Sequence, residues 1–325
     1  ASNTDITHIF VDSALKIGKN KIEEFDNKIT SVLTKARLLG QPVTELNTDC
    51  GHKCFLIEIV KNKYALYIPD DVVRLVGEER GHYYSHSKLY FTTIKVALNC
   101  KPINIYNLHT EAELTVIGGK NVTDGKLMFN GLRLKKLDLT RFNSNMLKNM
   151  EGMFSRSVIS ELILGGDFNT SNVVNMKKLF YYAYIGAYNE NDIIKLNTTD
   201  LSGLNTSKAE IMEAMFKNAL IKFDVEYLDF SNTKNTVEMF RQYIVRGLDI
   251  NKIDYSNIKY MNNMFKDAHL EDTKLIEHNI REDTIMEDMF SGCVIQNLDL
   301  TEFNITNIKY LIGMFKDADI KKLDM

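Results

Sequence analysis

From residue 112 onward the apolar positions of the chain fall into columns. The dipeptide Met-Phe, once Leu-Phe, ends at Phe129, Phe154, Phe180, Phe216, Phe240, Phe265, Phe290 and Phe315, at intervals of 25, 26, 36, 24, 25, 25 and 25 residues. Ordinary amphipathic helices do not keep such a register. A period this constant over eight units calls for one supersecondary unit stacked on copies of itself. With Leu298 to Phe315 (LDLTEFNITNIKYLIGMF) as the reference and Leu298 as column 1, each of these Phe stands in column 18. Columns 1 to 3 alternate apolar, Asp, apolar at Leu137 to Leu139, Phe223 to Val225 and Leu248 to Ile250, which predicts short strands. Columns 14, 17 and 18 hold Met150, Met153 and Phe154 in one unit and Met261, Met264 and Phe265 in another, a spacing that predicts one face of a short helical or 3₁₀ segment. Column 23 is aliphatic from Leu134 to Ile320. Two positions before it stand small residues at Ala219, Ala268, Cys293 and Ala318, which predicts a tight inward corner. Column 7 is Asn or Asp at Asn143, Asn169, Asn205, Asp229, Asp254, Asn279 and Asn304; such residues bond their own backbone and tolerate left-handed geometry, so they are expected to make the bends. The expected fold is an α/β solenoid of about eight 25-residue coils around a parallel sheet, at ~4.8 Å per strand.

Residues 1–111 lack this pattern and are expected to form a small α+β domain that caps the solenoid of residues 112–325. Asp12 to Leu39 carries Ile22, Phe25, Ile29, Val32, Leu33, Ala36 and Leu39 on one stripe, ended by Gly40 and Pro42, and reads as an amphipathic helix. Phe55 to Val60 and Tyr64 to Ile68 read as a hairpin, Asp70 to Glu79 as a short helix, and Lys88 to Asn99 as another strand. At the other end the strand Leu323-Asp324 leaves an open sheet edge through which an oligomer could form.

Composition narrows the classes. The 40 basic and 43 acidic residues give a net charge of -3, so nucleic acid is not an expected partner. Seventeen Gly and 3 Pro exclude collagen-like and linker-like chains, and 4 Cys are too few for a disulfide framework. No apolar run is long enough for insertion into a membrane. All 14 Met lie at or after Met128, and 12 of them occupy columns 14 or 17 beside the column-18 Phe. Thioethers favour Cu(I), but a Met that recurs beside an aromatic on a buried face is core packing.

The pattern LDLxxFNxSNxxxMxxMF resembles the BspA-like 25-residue leucine-rich repeat of bacterial surface proteins and lipoproteins, met also in viral proteins, over roughly 112–325. The resemblance implies a leucine-rich-repeat-like solenoid used for adhesion or protein recognition. It also implies a bacterial surface or secreted location, with a cytoplasmic one as the alternative. The chain departs from the family in its N-terminal segment and in keeping the family's Cys only at Cys293.

Candidate chemistry is sparse. Cys50, His52 and Cys54, with His82 and His86, are zinc-type ligands at a spacing that matches no common zinc motif, so neither a metal site nor a cofactor is expected. Column 2 forms a ladder of Asp138, Asp200, Asp224, Asp249, Asp299 and Asp324. Calcium is one reading of it; a mixed-charge face with Lys136, Arg246 and Lys322, or caps on the backbone, is the favoured one. The 36-residue interval places 11 extra residues between Phe180 and Thr199, a stretch rich in tyrosine, and insertions in solenoids map to loops on the binding face. The expected partner-binding residues are therefore Tyr181, Tyr182, Tyr184, Tyr188, Lys136, Asp138, Arg246, Asp249 and Lys322. No phosphate loop, nucleophile elbow or metalloprotease motif occurs, and no catalytic residue is assigned. The sequence reads as a non-enzymatic protein-protein interaction module of adhesin type. Two alternatives are an intracellular or virus-encoded inhibitor of a host protein, and a metal-dependent enzyme or effector in the N-terminal domain with the repeats as a targeting arm.

Overall fold

A computed structural model describes residues 32–77, 94, 98, 111–276, 280–303 and 311–325. The chain winds into a β-solenoid of about eight turns, and the coils meet along two kinds of hydrogen-bonded seam. The first is a sheet. Strands β1 (Val43–Asn47), β2 (Lys53–Val60) and β3 (Lys63–Ile68) form an antiparallel meander, and β3 then runs parallel to β4 (Glu113–Gly118). The sheet continues through β5 (Arg133–Phe142), β6 (Val158–Ile163), β7 (Tyr184–Ile185) and, after an inserted hairpin of β8 (Ala187–Glu190) and β9 (Ile193–Leu196), β10 (Leu220–Ile221). A second parallel sheet holds β11 (His269–Lys274), β12 (Val294–Asp299) and β13 (Asp319–Asp324).

The second seam replaces the expected helical face. Columns 14 to 20 form successive turns in which even-column N–H groups point to the next coil and odd-column N–H groups close turns within their own. Met150, Gly152, Phe154 and Arg156 donate to the carbonyls of Asn175, Lys177, Leu179 and Tyr181, while Met153 and Ser155 donate back to Met150 and Gly152. The geometry requires positive φ at columns 16 and 20. These are Leu127 and Gly131, Gly152 and Arg156, Lys178 and Tyr182, Ala214 and Asn218, Glu238 and Gln242, Asn263 and Asp267, Asp288 and Gly292, and Gly313 and Asp317. An α-helix would turn all but its first four N–H groups inward on itself and could not present alternate N–H groups along the segment to the neighbouring coil. Stacking selects the turns instead, and the seam outweighs the cost of left-handed geometry at residues as unsuited to it as Leu127.

The described Asx bends behave as expected in their bonding. The side chains of Asn169, Asn205, Asp229 and Asp254 accept the N–H two residues on at 2.8 to 3.0 Å. Their φ is not positive, however; the left-handed positions are those of the turn seam. Asn279 and Asn304 lie outside the described residues.

Inside, the column-18 rings form a ladder. Neighbouring Phe centroids from Phe129 to Phe315 lie 5.3 to 5.8 Å apart with near-parallel planes. A coil rise of ~4.8 Å then puts successive rings about 2.5 Å off axis, the offset that the aromatic quadrupole favours. All 12 Met of columns 14 and 17 are buried, whereas the two outside those columns, Met146 and Met325, are 48% and 88% exposed.

The helix expected over Asp12 to Leu39 lies outside the described residues except at its end, where α1 (Val32–Leu38) stops as expected at Gly40. Gln41 and Gly40 donate to the carbonyls of Ala36 and Arg37, a Schellman cap on a left-handed glycine. Val32 and Ala36 pack on Ile57, Ile59, Ala65 and Ile117, across β2, β3 and β4. Two expectations here are corrected. Residues 70–77 make a turn and then join the turn seam, with Leu75 and Gly77 donating to Asp124 and Lys126, because Val72 and Leu75 bury like the columns of a coil. Within Lys88 to Asn99, only Ile94 and Leu98 are described; Leu98 N–H donates to the Ile94 carbonyl four residues back, a helical bond rather than a strand one.

Candidate binding face

The largest departure from the repeat is the hairpin β8–β9. Its 11 residues, 187–197, account for the long interval between Phe180 and Phe216. Asn191 and Asp192 both have positive φ (52° and 62°), the type I′ turn that matches strand twist in a two-residue hairpin. Glu190 and Lys195 pair across its strands. Ala187, Ile194 and Leu196 lie against Val158, Tyr184 and Leu220, which are column 22 of three successive coils. The hairpin therefore shields an apolar ridge on the outside of the sheet. The next residue of that column, Ile244, is 55% exposed, and Ile193 near the hairpin turn is 61% exposed.

The four tyrosines of the insertion reading separate. Tyr181 and Tyr182 belong to the turn seam, at columns 19 and 20, because Tyr184 and Ile185 still pair with Val158–Ile159 and Leu220–Ile221 before the insertion begins. Tyr184 supports the hairpin from the sheet, and Tyr188 lies within β8. Tyr181 and Tyr182 are in ring contact at 4.5 Å, and Arg156, Lys178 and Lys217 surround Tyr181.

The charged candidates are dispersed over the stack. Lys136 stands on β5 in register with Glu113 and Glu161 on the flanking strands, a cross-strand arrangement of opposite charges. Lys322 lies on β13, in the other sheet, and pairs with Asp324 at 3.0 Å. Arg246 is exposed between the two sheets. Asp138 accepts the Thr140 N–H and hydroxyl at 2.9 and 2.6 Å, and Asp249 caps a 3₁₀ turn through the Asn251 N–H at 3.1 Å. Asp200, Asp224 and Asp299 accept the N–H two residues on in the same way. The column-2 ladder is thus a row of backbone caps, which directs these carboxylates along the chain rather than at a shared ion. Hydrogen bonds from the Ser202 and Thr301 hydroxyls and amides hold the Asp200 and Asp299 carboxyls below the ordinary range.

Among the described residues the Cys50 region brings no three candidate ligands together. Cys54 is fully buried in β2, and burial pushes its thiol well above the ordinary value. Burial alone would raise the Cys50 thiol too, but the Thr48 hydroxyl at 3.1 Å and backbone groups of Val73, Arg74 and His52 lower it on balance. His52 Nδ1 is 3.0 Å from Asp71 Oδ2. Among the described residues no group of three or more His, Cys, Asp and Glu side chains converges on one point; His82 and His86 lie outside them. Nor is any described helix long and apolar enough to cross a membrane.

The sequence alone did not single out Ile193 and Ile244. The available signal was Tyr243, directly before Ile244, which stands in column 21 where most coils place a small residue.

No curated protein and no solved structure matches the chain. One family does, in three overlapping stretches at residues 105–193, 123–246 and 234–324, more than half of the chain. The matches show a repeat family and not the BspA-type leucine-rich repeat in particular. The chain belongs to the family described as Mycoplasma protein of unknown function, DUF285.

Proposed function

We propose that the protein is a non-enzymatic protein-interaction module whose partner contacts the outer sheet face beside the hairpin β8–β9, and that it acts as an adhesin-like binder. The observation that carries this reading is the apolar column-22 ridge. The hairpin covers it at Val158, Tyr184 and Leu220 and leaves it open at Ile244. Isolated exposed aliphatics are ordinary; Ile193 on a projecting hairpin together with Ile244 at the next column-22 position, just past the covered ridge, favours a contact surface. The repeat architecture supports binding over catalysis, since stacked coils offer an extended surface and the described residues supply no convergent set of catalytic groups.

A photo-crosslinking amino acid at Ile193 or Ile244 tests this against the same probe at Asn232, an exposed position elsewhere on the coils. With host cells or host-cell extract, the expected result is one discrete crosslinked species from 193 and 244, absent from 232 and weakened by Ile244→Asp. Equal crosslinking at all three positions, or none at any, overturns the assignment.

A further inference from the structure

The turn seam carries a second feature that the sheet-face reading does not use. Tyr181 has three cations within 6.0 Å of its ring centroid: Lys178 Nζ at 5.2 Å, Arg156 Cζ at 5.7 Å and Lys217 Nζ at 6.0 Å. Arg156 also lies 6.0 Å from the Tyr182 ring, which is 38% exposed. Arg156, Lys178 and Tyr182 all occupy the left-handed columns 16 and 20, with φ of 55°, 55° and 53°, so the seam fixes their backbone.

The charges around them are unequally met. Lys217 is neutralised by Glu238 at 2.7 Å, and Arg241 pairs with the same carboxylate. Lys126 with Glu151 and Lys177 with Glu213 pair at 3.2 and 2.9 Å on the adjoining column. Among the described residues, no carboxylate lies within ion-pair distance of Arg156 or Lys178. Two like charges held beside one ring, with only its π face to offset them, make a spot of positive potential ready for an anion. Paired charges flank the spot, which leaves Arg156 and Lys178 to meet one or two carboxylates at a time.

We propose that Arg156, Lys178 and Tyr182 form a docking spot for an acidic side chain, Asp or Glu, on a protein partner. Arg156 and Lys178 bind the carboxylate, and Tyr182 receives the adjoining residue of the partner. The proposal rests on the reading of the protein as a protein binder, and it names a chemistry for part of the partner; only the corner residue Ala183 separates Tyr182 from the sheet-face Tyr184.

The test is fluorescence anisotropy of the full chain with labelled hexaglutamate, with hexaglutamine and a heparin hexasaccharide as comparison probes. Hexaglutamate is expected to bind and to weaken with added salt, hexaglutamine not to bind, and the Arg156→Gln/Lys178→Gln variant to bind hexaglutamate roughly tenfold more weakly at unchanged Tm. Tyr182→Ala, at an exposed ring, is a second variant expected to weaken binding without unfolding. Absence of hexaglutamate binding, an unchanged affinity in the double variant, or tighter binding of heparin overturns the proposal. Because crosslinking at Ile193 and Ile244 reads the sheet face separately, a crosslink that persists beside a failed peptide assay refutes only the acidic-partner inference. Loss of both refutes the binding reading itself.

Discussion

Tyr243 Oη donates a hydrogen bond to the carbonyl of Ile221 at 2.6 Å, across 22 residues of chain. In an earlier coil the equivalent carbonyl takes a backbone N–H of the next one, as Ile159 takes that of Gly186 at 2.9 Å. The tyrosine is 1% exposed and packs edge-on against Phe240. Its bulk at the inward corner is accompanied by a break between β10 and β11, and its hydroxyl satisfies the carbonyl facing that break.

Tyr243→Phe keeps the packing and removes the donor, leaving the Ile221 carbonyl buried without that partner. The expected loss is about 1–3 kcal/mol in urea unfolding. Burial pushes the hydroxyls of Tyr243 and Tyr255 well above the ordinary tyrosine range. Both phenols should therefore stay neutral in an absorbance titration until the chain unfolds. Their contribution to stability is present below the unfolded-state pKa near 10 and is lost as pH rises beyond it.

The ring ladder predicts a position-dependent cost. Phe240 has a stacked ring on each side and is fully buried, whereas Phe315 stacks on Phe290 alone among the described residues and is only partly buried. Phe240→Ala should cost about 3–5 kcal/mol and Phe315→Ala clearly less. Since coils are coupled chiefly to their neighbours, calorimetry of Phe240→Ala should split the unfolding into two transitions.

Gly292 answers to the coil before it. A Cβ there would meet Asp267 Oδ1 at 2.2 Å, and its φ is +67°. Gly292→Ala should lower Tm on both counts. Adding Asp267→Gly, which tolerates the positive φ of that position, should recover only part of the loss, because it removes the contact and not the left-handed strain of ~1–2 kcal/mol at residue 292. Full recovery would show that the backbone contributes nothing.

Glu238 gives a pH signature. Burial opposes its ionisation, but hydrogen bonds from Lys217 and Arg241 outweigh that and hold its carboxyl below the ordinary glutamate range. A depressed carboxyl pKa contributes stability that is present above the unfolded value and is lost as pH falls through the folded one. Between pH 6 and pH 3 the wild type should lose more Tm than Glu238→Gln; parallel curves would contradict the assignment.

Much of the fold was legible because stacking repeats the same physical demand at each coil. Phe in column 18, Met in columns 14 and 17 and Asx in column 7 recur for burial and for bends, and among the described residues they are buried or hydrogen-bonded as read, Phe315 at the end of the ladder only in part. The left-handed columns were legible only in part: nine of their 16 residues are Gly, Asn or Asp, which favour positive φ, but Leu127, Lys178, Ala214 and Glu238 are not. Their φ is imposed by hydrogen bonds to the next coil, which no local preference encodes. The helical reading of the Met face failed for the same reason, since spacing of three and four is shared by a helix and by a run of turns that face one core.

At the candidate faces the division is similar. The length of the insertion was plain from the interval between Phe180 and Phe216, but the tyrosines next to it belong to two different surfaces. Only strand pairing at Tyr184 and Ile185 shows where the insertion starts.

The sequence by itself determined the period, the core columns and the bends, because each depends on residue type within one coil. Tertiary structure decided which backbone groups face the next coil, where the sheet breaks at Tyr243, and that Arg156 joins Lys178 beside the Tyr181 ring. Tyr243 with Ile221 and Arg156 with Tyr181 stand 22 and 25 positions apart, and only stacking of successive coils brings such residues within reach of one another.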